Sequence, residues 1–357
     1  MRIVQIIDSL DVGGAEKMAI NYANALAETI EFSGIVATRK EGNLKLQIHS
    51  KVHYLFLNRK KTIDFKALIN FRKFCKENNV THIQPHSSSY FTALMLKMLM
   101  FKLKIIWHDH NGLSEFLGSR KSFALKIASY FFKGIITVNY QLKNWAIREL
   151  KCKNVIYLPN FTSIDLSEKN ETILSGISGK RILCLANLRL QKNQFLLIDI
   201  AEKLLETNPQ WTFHLVGKDF NDNYSKKLRE TIKQKKLEAN VFIYGSKNDT
   251  TNIINQATIC VFTSSSEGLP VALLEFALLS KPVISTQVGE IPLIIKNEYN
   301  GLLVPVNDID KFIHALLMLI ENPNKSSLLG INLKKTVEDN NSEVAVISNY
   351  INWLKSL

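Results

Sequence analysis

The feature that most constrains this chain is a repeated alternation of short apolar runs with segments of helical period, in two successive series. Residues 2–7 form a brief apolar run without helical spacing, as a buried parallel strand requires. A Gly13-Gly14 loop follows, and residues 15–28 then place Met18, Tyr22, Ala25 and Leu26 at helical intervals. Comparable runs at 34–37, 52–56, 82–83, 104–107, 134–138 and 154–157 alternate with helical patterns such as 65–78 and 90–101. The second series has strands expected at 181–185, 212–216, 241–244, 259–263, 283–285 and 301–304, and helices at 194–206, 224–235, 250–256, 270–279 and 309–319. Alternation of this kind folds as an open parallel sheet with helices on both faces. The expected fold class is therefore α/β, with two Rossmann-like domains over residues 1–160 and 161–341. A cleft between them is the default site, since open sheets bind ligands outside their strand carboxyl ends. The polar stretch 159–180 reads as the linker, and 342–357 as an amphipathic helix packing back on the first domain.

A length of 357 residues, 46% of them apolar, suits two such domains better than one core. The four cysteines lie far apart and form no C-x-x-C pair, which points away from a disulfide framework or zinc site and fits a reducing cytoplasm. The opening MRIVQIIDSL runs straight into a strand, so no secretory leader is expected, and no apolar stretch is long enough for a spanning helix. The net charge of +13 is one-sided. Residues 1–160 hold 24 Lys/Arg against 11 Asp/Glu, while residues 161–357 hold 21 of each. Such asymmetry points to a polyanionic partner such as anionic lipid, a phosphorylated acceptor or nucleic acid.

The most informative stretch is Ser264-Ser265-Ser266-Glu267-Gly268-Leu269-Pro270-Val271-Ala272-Leu273-Leu274-Glu275. A strand runs into a Ser/Gly loop, and Pro270 then opens a helix, where proline is tolerated. The amides around Gly268 and Val271 meet the positive end of that helix dipole, a setting for an anion or a polyhydroxyl group. Glu267 beside it can accept hydrogen bonds from sugar hydroxyls. Glu275, a little over two turns into the helix, can reach a ribose.

Glu267 and Glu275 resemble the E-x7-E motif of retaining glycosyltransferases with the GT-B fold, in particular glycosyltransferase family 4. The blocks Lys281-Pro282-Val283-Ile284-Ser285-Thr286-Gln287-Val288-Gly289-Glu290-Ile291-Pro292 and Asn300-Gly301-Leu302-Leu303-Val304-Pro305 are similar to the next two family motifs. The resemblance is dense over 181–310 and thinner before it. It makes the second domain the one that binds a nucleotide sugar and the first the acceptor side. It implies that Glu267 holds the donor sugar's hydroxyls and Glu275 the ribose. Gly268, Leu269 and Val271 would offer backbone amides to sugar and phosphate. Lys192 falls on the Lys of the family's G-R-L-x-x-x-K loop and would meet the diphosphate. Asn187 stands where the family has Arg, and Arg189 lies two residues later as a second candidate cation. Gly245 and Ser246 would lie against the base. Asp219 replaces the second Gly of the family's turn after Val216-Gly217.

In the first domain Gly13-Gly14-Ala15-Glu16 resembles the family's GGaE loop, which makes Gly14 the donor-facing glycine. The spacing does not fit G-x-G-x-x-G, which speaks against a dinucleotide dehydrogenase. Residues 105–111 end a strand with two histidines. The family has a histidine here near the reaction centre; His108 is the first choice and His110 the second. Asn160 matches the family's Pro-Asn at the domain crossover, with Phe161 in place of the usual Gly.

These features imply attack of an acceptor hydroxyl on the anomeric carbon of a nucleoside-diphosphate sugar, with retention. Neither metal nor any other cofactor is expected. Lysines and apolar residues interleave between Lys97 and Lys133, as in Met98-Leu99-Met100-Phe101 and Ser129-Tyr130-Phe131-Phe132. A surface of that kind suits an anionic membrane and a polyprenyl-linked saccharide acceptor. The expected setting is capsule, exopolysaccharide or lipopolysaccharide assembly by a peripheral cytoplasmic enzyme. The rival readings are a nucleotide-sugar epimerase, which would turn over donor without acceptor, and a nucleic-acid binder using the basic half. The latter would leave the Glu267 and Glu275 block without a purpose, so no nucleic-acid partner is expected.

Overall fold

The computed structural model describes residues 1–111, 117–118, 120–162 and 170–357. The chain forms two compact units, Met1–Thr162 with Glu343–Leu357, and Ser163–Ser342.

The first unit contains the strands β1 (Arg2–Ser9), β2 (Phe32–Lys40), β3 (His53–Phe56), β4 (His82–Pro85), β5 (Lys104–Asp109), β6 (Phe132–Thr137) and β7 (Val155–Tyr157). They form one sheet in the order β3-β2-β1-β4-β5-β6-β7, every pair parallel. Its helices are α1 (Gly14–Ala27), α2 (Phe65–Glu77), α3 (Tyr90–Leu99), α4 (Phe123–Ala128) and α5 (Tyr140–Glu149). Asp64 and Asn139 cap α2 and α5 by accepting from the Ala67 and Leu142 amides, as short polar residues before an apolar period should. Right-handed crossovers place α2, α3, α4 and α5 on one face of the sheet and α1 on the other. The chain order reverses between β1 and β4, so the topological switch lies there.

The second unit contains β8 (Arg181–Leu185), β9 (Thr212–Val216), β10 (Val241–Gly245), β11 (Ile259–Phe262), β12 (Val283–Thr286) and β13 (Leu302–Val304). They pair in parallel in the order β10-β9-β8-β11-β12-β13, with the switch between β8 and β11. Its helices are α6 (Gln194–Thr207), α7 (Asn223–Gln234), α8 (Thr250–Gln256), α9 (Val271–Leu278), α10 (Ile291–Ile294), α11 (Ile309–Glu321) and α12 (Pro323–Asn340). The tail helix α13 (Glu343–Ser356) is part of the first unit, where it lies beside α1 and buries Val346, Ile347, Tyr350 and Leu354.

Three departures from the sequence reading have physical causes. The expected linker is tied down at both ends. The Asn21 side-chain amide donates to the Phe161 carbonyl in the first unit, and Thr172 binds Asp249 in the second, where Leu174 is fully packed. Residues 163–169 of that stretch lie outside the described residues. The 18-residue helix α12 carries no strong apolar period, because part of its contact face is made by small residues. Gly330 meets the turn after α9 so closely that a Cβ there would stand 2.1 Å from the Ser280 carbonyl oxygen. The short helices α4 and α10, of six and four residues, were also not read, each being too brief to show a period.

Candidate active site

The second unit gathers its candidate residues at the switch between β8 and β11, where an open sheet leaves a crevice between diverging loops. The loop after β8 carries Lys192 and the loop after β11 carries Glu267, 75 positions apart. The Lys192 ammonium donates to both carboxylate oxygens of Glu267 at 2.6 Å. The Ser264 hydroxyl donates to Glu267 Oε1 at 2.6 Å. The two loops are laced together: the Ser265 amide donates to the Gln191 carbonyl, and the Thr263 hydroxyl to the Lys192 carbonyl. Glu267 is buried and Lys192 about one-fifth exposed. A buried carboxylate and ammonium held this way form a preorganised pair whose removal from water costs several kcal/mol per ion in order of magnitude.

The Val288-Gly289-Glu290 turn supports the Glu267 loop from behind. Gly289 has φ +56°, and a Cβ there would lie 2.2 Å from the Glu267 carbonyl oxygen. The Glu290 amide donates to the Gly268 carbonyl. Gly289 is therefore required twice over, by its backbone angle and by this close approach. Pro270 stands as the N-cap of α9, with Leu269 and Val271 buried on either side and Glu275 half-buried midway along the helix.

Among the other second-unit residues, Asn187 is structural: its side chain accepts from the Lys218 amide, and its carbonyl from the Gln194 side chain. Arg189 is exposed and lies over the Phe220 ring at 4.5 Å. Gly245 ends β10 with φ +70°, its carbonyl accepting from the Gly217 amide, and Ser246 beyond it is exposed.

At the carboxyl edge of the first sheet, Gly14 opens α1 with an exposed backbone and nothing within 4 Å of where a Cβ would stand. His108, in β5, is buried with only 1% of its surface exposed, while His110 just beyond the strand is half-buried. They meet a third ring that sequence reasoning missed. His86 follows β4, is fully buried and stacks on His110, with an interplanar angle of 15° and 2.8 Å between His86 Nδ1 and His110 Nε2. Gln5 of β1 and Gln84 of β4 complete the group. His86 Nε2 lies 2.8 Å from Gln5 Oε1, and His108 Nδ1 lies 3.1 Å from Gln84 Nε2. The available signal was a pair of glutamines and a histidine, Gln5, Gln84 and His82, inside strands that should be wholly apolar.

Burial holds all three rings of the group neutral. It pushes His86 and His108 well below the usual imidazole range, with His110 as a like-charged neighbour adding to the effect, and brings His110 down to about 3. Their nitrogens, all within 4.8 Å, form the one group among the described residues close enough to share a metal ion; two of those nitrogens are hydrogen-bonded to each other. Beside them Arg120 grips the buried Asp109 with two hydrogen bonds, at 2.6 and 3.0 Å, and stacks on Trp145, fixing the end of β5.

With this geometry in place, comparison with known proteins becomes specific. Residues 171–336 match the family model described as "Glycosyl transferases group 1". The chain is 26% identical over 284 residues to the Escherichia coli UDP-Gal:alpha-D-GlcNAc-diphosphoundecaprenol alpha-1,3-galactosyltransferase, covering 72% of this chain and 71% of that one. It is 25% identical over 313 residues to the capsular polysaccharide biosynthesis glycosyltransferase CapH of Staphylococcus aureus, covering 81% and 82%. Its structure is similar to that of Anabaena Alr3699/HepE in complex with UDP-glucose, with a TM-score of 0.80 at 19% identity over the full length of both chains. The group 1 match lies within the second unit and spans both Lys192 and Glu267. The chain is an enzyme, a glycosyltransferase built on the GT-B fold and carrying a glycosyl transferases group 1 domain in its second unit.

Proposed function

We propose that this glycosyltransferase moves a sugar from a nucleoside-diphosphate sugar, with retention at the anomeric carbon, to a hydroxyl of a polyprenyl-linked saccharide during assembly of a cell-surface polysaccharide. The observation that carries the reading is the Lys192–Glu267 pair at the switch of the second sheet. Glu267 accepts from the donor sugar's hydroxyls. Lys192 turns to the diphosphate and stabilises the charge that builds as it leaves. Gly268, Leu269 and Val271 line the loop and helix start, Glu275 takes the ribose, and Gly245 with Ser246 borders the base. The acceptor oxygen bonds to the anomeric carbon on the face the phosphate leaves, the anomeric carbon–oxygen bond to phosphate breaks, and the acceptor proton passes to the leaving phosphate. No metal takes part in this scheme. Similarity to a transferase whose name includes a diphosphoundecaprenol acceptor, and to one of capsule biosynthesis, supports the choice of acceptor and setting.

The enzyme works as a peripheral protein at the cytoplasmic membrane face. Supporting this, Met98, Leu99, Phe101, Tyr130 and Phe131 stand out from the first unit, while Phe132 turns inward. Phe65 and Ile69 of α2 and Phe123 of α4 extend the apolar surface on the same helical face of the sheet, among lysines. No helix among the described residues is long and apolar enough to cross a membrane. The test is transfer of labelled sugar from a panel of nucleoside-diphosphate sugars to polyprenyl-diphosphate saccharides in vesicles, with proton NMR of the product anomer. An axial donor giving an axial linkage supports the proposal; inversion, or epimerised donor without transfer, rejects it.

A further inference from the structure

The histidine group has two self-consistent hydrogen-bond polarities, because amide flips and imidazole tautomers reverse together. In the first, Gln84 Nε2 donates to His108 Nδ1, so His108 keeps its proton on Nε2. Gln5 Nε2 then donates to Gln84 Oε1, and Gln5 Oε1 accepts from His86 Nε2–H. His86 Nδ1 is left as an acceptor, so it receives Nε2–H of His110. In the reverse polarity every step runs backwards, and all three rings carry the proton on Nδ1.

Tyr350 breaks the tie. It is fully buried on α13, and its hydroxyl lies 2.6 Å from Gln84 Oε1, its one hydrogen bond among the described residues. In the reverse polarity a Gln84 NH2 would face this hydroxyl, and the buried hydroxyl's own proton would have no acceptor among the described residues. A carbonyl oxygen, not an amide NH2, therefore faces Tyr350, which selects the first polarity. His108 Nε2 is buried with no hydrogen-bond partner among the described residues, in this polarity as a donor.

We infer that Tyr350 is a positioning residue, holding His86, His108 and His110 as Nε2–H tautomers so that the half-buried His110 presents a bare Nδ1 to a substrate hydroxyl. No described residue donates to that nitrogen. The inference rests on the transferase reading only for the identity of the hydroxyl; the tautomers stand or fall independently. It makes the C-terminal helix, far from the site in sequence, part of the reactive edge of the first sheet.

The test uses the full chain, labelled with 15N-histidine, treated with chelator and studied by long-range nitrogen–proton correlation at pH 7.5. Single-histidine substitutions assign the signals. The expected result is Nε2–H for residues 86, 108 and 110, with Nδ1–H signals emerging in Tyr350→Phe. Any of the three found as Nδ1–H in the wild type overturns the inference, as does a Tyr350→Phe spectrum without tautomer change. Zn2+ shifting these nitrogens to metal-bound positions also overturns it, in favour of a metal site. If Tyr350→Phe does not fold, Gln84→Glu gives the second test: with only acceptors at that position, His108 alone must move its proton to Nδ1 or become charged. In the transfer assay, Tyr350→Phe lowers kcat roughly tenfold with donor KM within about twofold. Changed tautomers with unchanged kcat overturn the substrate-facing half of the inference.

Discussion

The first unit carries the whole +13 of the chain, yet the switch of its sheet is lined by neutral rings and amides, and its ion pair, Asp109 with Arg120, stands beside them at the end of β5. The second unit is neutral overall and keeps a full ion pair at the corresponding edge. Both edges lie at the topological switch of a parallel sheet, so topology selects the place and the side chains select the chemistry. In the proposed reaction the charged pair meets the donor diphosphate and the neutral group orients hydroxyls. The excess positive charge of the first unit lies elsewhere on it, including among its exposed aromatic residues, where the proposed membrane association would use it.

Breaking the charged edge has the largest expected effect. Glu267→Ala strands the Lys192 ammonium and lowers kcat/KM by about 10²–10³ in the transfer assay. Glu267→Gln, which keeps the shape and one acceptor, falls between wild type and alanine. Equal activity of Glu267→Ala and wild type would place the chemistry elsewhere.

Acid separates the two units next. Between the ordinary imidazole value near 6.5 and about 3, the unfolded chain takes up a proton that folded His110 refuses. His82 is likewise held down to about 4, and His86 and His108 lie lower than usual for the same reason, burial. Stability of the first unit is therefore full above pH 6.5 and lost as pH falls through that window. The second unit has one comparable group, His214 at about 4. Lowering the pH from 7 to 4.5 therefore costs the first unit more stability than the second. Hydrogen exchange read by mass spectrometry should show β4 and β5 losing protection before β8 and β11. The opposite order would contradict the difference drawn here.

The membrane surface gives the smallest effect. Phe101→Glu with Phe123→Glu, both residues 80% exposed, lowers co-sedimentation with anionic vesicles about tenfold and leaves donor-induced thermal stabilisation unchanged. Unchanged sedimentation would remove the surface from the account.

Much of the second unit was legible in the sequence because its signals are local. Pro270, Gly268 and the spaced Glu267 and Glu275 sit on one strand–loop–helix, and the run to Gly289 and Gly301 follows in order. What could not be read is pairing across distance. The resemblance sent Lys192 and Glu267 to one donor, but the ion pair that joins them directly, and the packing of Arg189 over Phe220, are not spelled in the sequence. The first unit was harder for the same reason. Gln5, Gln84, His86 and Tyr350 come from two strands, a turn and the last helix, and only the parallel register of β1 and β4 and the return of α13 bring them together. His108 and His110 were both singled out, but which ring reaches the surface depends on where β5 ends, one residue before His110.

Donor binding by calorimetry tests the central claim most directly, using a nucleoside-diphosphate sugar active in transfer with the wild type, Lys192→Ala and Glu275→Ala. The account predicts a Kd raised at least about tenfold in each variant, with the folded second unit verified by hydrogen exchange. Wild-type affinity in both variants would show that the donor is held by other residues.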